Sequence, residues 1–476
     1  MRTGHHPDGP RPDDSRPGAS RPGASRRSVL TLAAAAAVAA PFTTLGAGPA
    51  AAGTAAPRLQ RRAHDFLRVM TQAYPAANGS GPRLAQSYAD EIGLFSTAFT
   101  YDNALAVCAA LTGSTADVDL ARVLGDGLLY AQDHDPGYSD GRLRQAYNVG
   151  PYTFYDGNPS PSGFVLPDGA ANIGFQFGFL GTAVGDMAWP GMALVQLYGR
   201  SGDQRYLTGA LRLADWIVTR TRSEVGLGGF SFGVTGGDAP IPNKSTEHNI
   251  DCVGFFGQLA VTTGDQGWAE QAAHARAFLE RVWEPTAGFF FTGSNDGVTI
   301  NPDPLPLDPQ TWSWLALQDP TYARALDWAA RELAAADDST QATSQLPDGV
   351  RLSGVTFSSS SLVSGAAYNG IQVHPQGVWL EGTAQLACAL VDRRDGQDRR
   401  DARQLLDQVA IAQTRVGQGQ HVGGRPLPPA SGVVAASSLL DSGFGFGYFQ
   451  SQHVGATAWY VMAGQGANPM VTGGLR

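Results

Sequence analysis

Two kinds of apolar segment alternate along the chain. The first is amphipathic at helical spacing. In about 58–73, Leu59, Ala63, Phe66, Leu67 and Met70 share a face. In about 203–221, Tyr206, Leu207, Ala214 and Ile217 line one side, and Arg205, Arg212 and Arg220 line the other. The second kind is apolar nearly all round, as in Ala104, Leu105, Ala106, Val107, Cys108, Ala109, Ala110 and Leu111. The pattern predicts amphipathic helices over about 58–73, 117–132, 203–221, 266–283, 320–336 and 399–413. Each is followed by an apolar helix, over about 101–111, 185–198, 247–263, 309–317, 376–391 and 454–463. A helix apolar on every face is buried on every face. Six such pairs predict an all-α fold, an outer ring of helices around an inner one.

The links sharpen this picture. From a buried helix to the next amphipathic one they are short, as at Gly199 to Asp203, Gly264 and Asp265, or Gln318 to Thr321. In the other direction they are long: about 133–185, 222–246, 284–308, 337–375 and 414–453. Long links are uncommon and usually functional. All of them emerge on one face, where the buried helices begin. Gly229 to Gly233 and Gly288 to Gly293 look like β-hairpin material within that layer. Loops on one face of a rigid scaffold predict a binding cleft there.

Composition narrows the class. The chain has 476 residues, 43% hydrophobic and 16% charged, enough for a large core. Its formal charge is −9. An acidic domain with no basic stripe is a poor nucleic-acid binder. Cys108, Cys252 and Cys388 lie far apart inside apolar runs, so they read as buried free thiols and not as metal ligands or disulfides. Lys244 is the only lysine. Residues 1–56 read as a leader. Arg26 and Arg27 precede a short Ala-rich run to about Ala40, and small residues follow near Ala50, Ala51 and Ala52. This layout predicts export by the twin-arginine route, to a secreted or cell-envelope location. The run is too short for a membrane span, and none is expected once the leader is removed. Residues 57–476 are then expected to form one domain.

Three helix starts are rich in polar side chains. Tyr101, Asp102 and Asn103 open the first buried helix. Lys244, Ser245, Thr246, Glu247, His248, Asn249 and Asp251 open the third, and Trp379, Leu380, Glu381, Gly382 and Thr383 belong to the fifth. With the alternating helices, these starts resemble the six-hairpin, (α/α)6-barrel, glycosidase-like superfamily. The resemblance covers nearly all of 57–476 as architecture and only these short runs as motif. It implies a cleft at the inner-helix N-termini, acting on an oligo- or polysaccharide through carboxylates, without a cofactor.

Glycosidic hydrolysis needs one protonated carboxyl and one ionised one. Glu381, flanked by Trp379, Leu380, Leu386 and Ala387, is expected well inside its helix, where desolvation raises its pKa and suits it to act as the acid. Glu247 lies in a first helical turn, where the dipole favours the ionised form. It is a candidate base, with Lys244 folding back beside it. Asp251, four residues on, shares its face. Asp102 is a further base candidate. His248, Asn249, Lys244, Tyr101, Trp189, Trp379, Tyr155 and His453 are candidates for sugar contacts. Asp186 and Asp308 read first as ordinary helix starts; Asp308 with Pro309 is N-cap chemistry. The aromatic loop 133–185 and Phe444, Phe446, Tyr448 and Phe449 could wall a cleft or seal the barrel. Asp303 with Asp308, or Asp135 with Asp140, could ligate calcium, but no EF-hand loop exists and no metal site is expected.

Three rivals stand beside hydrolysis. A polysaccharide lyase would use Tyr368, Asn369 and His374, which lie close in sequence. A sugar 2-epimerase would more naturally be cytoplasmic. A non-catalytic glycan-binding protein is the third, because fold does not fix function. Separated inner-helix ends leave room for a water, so inversion is the expected stereochemistry.

Overall fold

A computed structural model describes residues 49–76, 81–90, 96–151, 162–173 and 180–475, with side chains from residue 56 onward. Residues 1–48, the aromatic candidate Tyr155, and Tyr152, Phe154, Phe175, Phe177 and Phe179 lie outside the described residues. The described chain belongs to one contact unit, Pro49–Arg476. Regular structure therefore begins inside the stretch assigned to the leader.

Twelve α-helices occur among the described residues, in the predicted order. The outer helices are α1 (Pro49–Thr71), α3 (Thr115–Asp133), α5 (Gln204–Thr221), α7 (Gln266–Arg281), α9 (Arg324–Glu332) and α11 (Asp398–Arg415). The inner ones are α2 (Thr100–Leu111), α4 (Gly185–Ser201), α6 (Thr246–Thr263), α8 (Asp308–Leu317), α10 (Leu380–Arg393) and α12 (Val454–Gln465). Each inner helix packs on the next, and α12 on α2 closes the ring. The inner helices are buried on nearly all faces, as their composition requires. Among the described residues, no helix is long and apolar enough to cross a membrane.

The short links share one device. Gly202, Gly264 and Gln318 end α4, α6 and α8 in the left-handed conformation. The next residue, Asp203, Asp265 or Asp319, then caps the following helical segment by accepting from the backbone N–H of Arg205, Gly267 or Thr321. A left-handed C-cap followed at once by an Asp N-cap turns the chain in two residues.

Two predicted helices are shorter than expected. The span 320–336 breaks into a 3-10 turn (Pro320–Tyr322), α9, and a strand (Ala334–Asp338) paired with Arg351–Val355. In that strand Ala335 and Asp337 point inward, a period of two that overrides the alanines' helical preference. The span 376–391 becomes helical only at Leu380. Before it the chain is held extended, with Val378 N–H donating to Ser437 Oγ (2.8 Å) and Trp379 N–H to Val355 O (2.8 Å). The hairpin expectations map onto Gly233–Val234, paired on both edges, and onto Phe289–Phe290, paired with Trp283–Glu284.

The end of the chain, 467–475, folds across the C-terminal ends of the inner helices. Gln196 of α4 donates to Val471 O (2.7 Å), Gln258 of α6 to Pro469 O (2.9 Å), and Cys388 of α10 to Ala467 O (3.2 Å). Asn468 donates to Leu315 O (3.0 Å) on α8.

Candidate active site

Five of the six inner helices begin in equivalent ways; α4 has Ala188 at the corresponding position. In α2, Asn103 accepts from Ala85 N–H (2.7 Å) and donates to Phe99 O (2.9 Å), four residues back. In α6, Asn249 accepts from Phe230 N–H (2.8 Å) and donates to Ser245 O (2.8 Å). Gln310 in α8 does the same with Phe290 N–H (2.9 Å) and Pro306 O (3.1 Å). Hydroxyls replace the amides in α10 and α12. Thr383 accepts from Val355 N–H (3.2 Å) and donates to Trp379 O (2.8 Å). Thr457 accepts from Val433 N–H (2.9 Å) and donates to His453 O (2.7 Å). Each clamp ties a loop strand to a helix start and satisfies backbone groups the helix leaves open. The position two residues before each clamp is Tyr101, Glu247, Asp308, Glu381 or Gly455. In α4 the corresponding second helical residue is Asp186. Around the ring these positions read Tyr, Asp, Glu, Asp, Glu, Gly.

The α2–α10–α12 side is hydrogen-bonded. His453 Nε2 lies 3.1 Å from both carboxylate oxygens of Asp102, and its Nδ1 lies 3.4 Å from Glu381 Oε2. Tyr88 stacks on the imidazole, with centroids 4.1 Å apart and planes at 6°. Tyr101 OH donates to Glu381 Oε1 (2.8 Å) and accepts from Trp459 Nε1 (3.0 Å). Gly455 is required here, because a Cβ would stand 2.7 Å from Asp102 Oδ1 and 2.9 Å from Glu381 Oε2. Burial lowers the basicity of His453, but the Asp102 carboxylate, helped by Glu381, outweighs it and raises the pKa. Burial lifts Glu381 to about 7; Asp102 pushes it further up and His453 pulls it back.

The α4–α6–α8 side is acidic and less satisfied. Burial lifts Asp186 to about 8 and Glu247 to about 7. Asp251 and Asp308 are held well above the carboxylate range by burial and by the charge of Glu247. Asp251 Oδ1 and Asp308 Oδ1 are buried without a hydrogen-bond partner, as are Trp189 Nε1, Trp312 Nε1 and His248 Nδ1. Burial depresses His248 to about 4, so its ring is neutral at neutral pH. An aromatic cluster joins the inner helices. Trp189 meets Trp312 (5.2 Å), Trp459 (5.8 Å) and Tyr101 (5.4 Å) edge to face.

Three expectations change. Lys244 does not fold back on Glu247. It lies in a two-residue strand paired with Gly293–Ser294, and its Nζ donates to Ser223 Oγ (3.2 Å) and Val225 O (2.5 Å), so it ties down a loop. Asn249 spends both ends of its amide on backbone and has nothing left for a sugar hydroxyl. Glu381 sits in the first turn of α10, not deep within it, because the helix starts late. Trp379 is buried to 1% and backs Phe357 (4.7 Å) and Tyr448 (5.3 Å) from behind. Asp102, Tyr101, Trp189, Asp251, His248, Glu247 and His453 occupy the ring or its immediate surround. Of the supposed calcium ligands, Asp135 and Asp140 instead pair with Arg144 and Arg142. Tyr368 donates to Asp441 (2.7 Å), and His374 bonds Thr343 (2.7 Å) and Gln341 (3.1 Å), so the lyase candidates are engaged away from the ring.

Sequence reasoning underrated Asp186 and Asp308 and passed over Tyr88, Trp312, Trp459 and Gly455. The signal was the clamp residue, which puts five of the starts in one register; α4, with Ala188 there, lacks it. Surface cavities elsewhere, including one of about 680 Å³ lined by Arg68, Tyr74, Arg83, Asp119 and Arg425, include none of the ring residues.

No protein-family model matches the chain, and no curated protein matches it. Solved structures do. Cellobiose 2-epimerase from Bacillus thermoamylovorans is similar at TM-score 0.54 and 12% identity, over 86% of this chain and 98% of that one. A family 76 glycoside hydrolase from a bovine Bacteroides thetaiotaomicron strain is similar at TM-score 0.52 and 11% identity, over 86% of this chain and 76% of that one. A glycosidase in complex with glucose gives TM-score 0.52 and 13% identity, over 90% of this chain and all of that one. The chain thus has the six-hairpin (α/α)6-barrel fold that glycosidases and sugar epimerases share.

Proposed function

We propose that this protein is a carbohydrate-active enzyme that hydrolyses a glycosidic bond between Glu381 and Glu247. One observation carries this. Two carboxyls stand at equivalent positions of α10 and α6, and burial places both near a pKa of about 7. Around neutral pH such a pair supplies one protonated and one ionised group, which is what this hydrolysis needs. Glu381 keeps its orientation through Tyr101 and gives its proton to the leaving oxygen. Glu247 takes a proton from the attacking water. Asp102 is engaged by His453 and Asp251 favours its protonated form, which leaves Glu247 as the base. α8 stands between the two helices, and inversion is the expected outcome.

A second carbohydrate activity is supported by a specific contact. His453, bonded on one nitrogen to Asp102 and close to Glu381 on the other, is built to relay a proton, as a 2-epimerase requires. One experiment separates the two. Purified protein and Glu381→Gln are incubated in D2O with a panel of oligosaccharides, followed by proton NMR. New reducing ends that vanish in the variant support hydrolysis. Deuterium at C2 without new ends supports epimerisation. Undiminished cleavage by Glu381→Gln would overturn the acid assignment.

The Arg26–Arg27 leader supports export of the folded protein by the twin-arginine route. Replacing both arginines with lysine should retain the protein in the cytoplasm on fractionation; unchanged export would refute this.

A further inference from the structure

The α4–α6–α8 side of the ring has a charge inventory that selects among sugars. Asp186, Glu247, Asp251 and Asp308 face it from three helices, with Asp102 and Glu381 completing the ring from α2 and α10. The titratable neighbours are Tyr88, Tyr101, Tyr448, His248 and His453. Among the described residues, no Lys or Arg is one of the largest influences on Asp186, Glu247, Asp251, Asp308 or Glu381. Lys244 is held by Ser223 and Val225, and Arg142 and Arg144 pair with Asp140 and Asp135. The segments 77–80, 91–95, 152–161 and 174–179 contain neither residue type. His453 is already matched by Asp102.

Among the described residues, Asp251 Oδ1 and Asp308 Oδ1 are buried without a partner, although Trp189 and Gln385 hydrogen-bond the two carboxyl groups. A buried acceptor without a donor costs about 1–3 kcal/mol, and a charged one costs more. Such oxygens await donors, and the kind of donor is restricted by what surrounds them. A uronate, sulfate or phosphate would oppose the ionisation of these carboxyls further. A neutral hydroxyl offers one proton and leaves them protonated. An ammonium offers three N–H donors and a full positive charge that stabilises their ionised form.

We propose that the substrate is an amino sugar whose free ammonium group sits on the Asp186, Glu247, Asp251 and Asp308 side of the ring. This rests on the carbohydrate function proposed above and names its substrate class. Carboxyls that keep their protons near neutrality in the empty site must release them when an ammonium arrives, so binding is coupled to proton release. The same inventory disfavours a uronate lyase, which needs a positive group to neutralise its substrate's carboxylate.

Calorimetry on Glu381→Gln separates binding from turnover. The probes are a fully deacetylated glucosamine trisaccharide, a galactosamine trisaccharide, the N-acetylated form of each, and a neutral mannose trisaccharide. At neutral pH one of the deacetylated probes should bind at least about tenfold tighter than its acetylated form. Its heat should vary with the ionisation enthalpy of the buffer, reporting proton release. Asp251→Asn and, separately, Asp308→Asn should each erase most of the preference and leave binding of the N-acetylated form within about twofold. Equal binding of acetylated and deacetylated probes, or preference for mannose, overturns the amino-sugar assignment and spares the carbohydrate function. Failure of every trisaccharide to bind overturns both.

Discussion

At the C-terminal end of the inner helices the chain closes the barrel on itself; at the N-terminal end it leaves buried polar atoms open. Below, Gln196, Gln258 and Cys388 reach carbonyls of the 467–475 segment, and Asn468 reaches back to Leu315. Above, Asp251, Asp308, Trp189 and Trp312 each keep a buried polar atom without a partner. Both ends are built on the same six helices. A buried polar group without a partner lowers stability; at the lower end Gln258 Oε1 is one such atom, whereas at the upper end carboxyl and indole groups of α4, α6 and α8 keep theirs together. The clamps make the contrast finer, since Asn103, Asn249 and Gln310 sit within the upper end yet are fully used by backbone. Polarity by itself does not mark the site, whereas unspent polarity does.

The largest expected effect is on the upper end. Glu381→Gln should lower kcat by about 10³-fold while thermal unfolding stays near that of the parent. A folded variant with full activity would break the contrast at its centre. On the lower end Met470→Ala, at a side chain 1% exposed and close to Gly254, should cost about 2–4 kcal/mol in urea unfolding. Activity per folded molecule should not change. A drop in kcat at full folding would show that the two ends are coupled.

A smaller effect depends on pH. Burial raises Asp186 to about 8 from an ordinary value near 3.8. The folded protein therefore holds a proton that the unfolded chain gives up, and this contribution, full below about pH 4, is lost as pH rises through about 8. Asp186→Asn should then leave stability unchanged at about pH 4 and raise it by roughly 1–3 kcal/mol at about pH 8. The same gain at both values would deny that Asp186 titrates upward. The smallest effect is expected at the lower end, where Arg394 ends α10 in the left-handed region with φ of 59°. Arg394→Gly should stabilise by about 1 kcal/mol, and a loss of stability would show that its side chain matters.

Much of the fold was legible in the residues. Helix α6 was expected over 247–263 and spans Thr246–Thr263, and α2 and α12 agree as closely. Their apolar runs are continuous and their ends are punctuated by Gly113, Gly264 and Gly466. The misses came where a local preference met a partner distant in sequence. Ala334, Ala335 and Ala336 favour helix but pair with 353–355. The helical pattern includes Gln376, Gly377 and Val378 in α10, yet Gly377 N–H closes a turn on His374 O and Ser437 takes the N–H of Val378. The closing segment 467–475 carries no periodic signal, and its role exists only through donors on α4, α6 and α10 and an acceptor on α8.

The same division governs the site. Alternation of amphipathic and all-apolar segments, short links one way and long links the other, determined by themselves that six inner helices would present their N-termini to a common layer of loops. That follows from local rules, because burial and helical period are properties of a segment. Which side chains at those starts remain free was decided only by the tertiary structure. Lys244, Asn249, Glu247 and Asp251 lie within eight residues of one another and read alike, but Ser223 and Val225 take the lysine, Phe230 takes the amide, and the two acids face the ring. A hydrogen bond needs its partner within about 3 Å, and here the partners that claim or spare each group come from other loops and other helices.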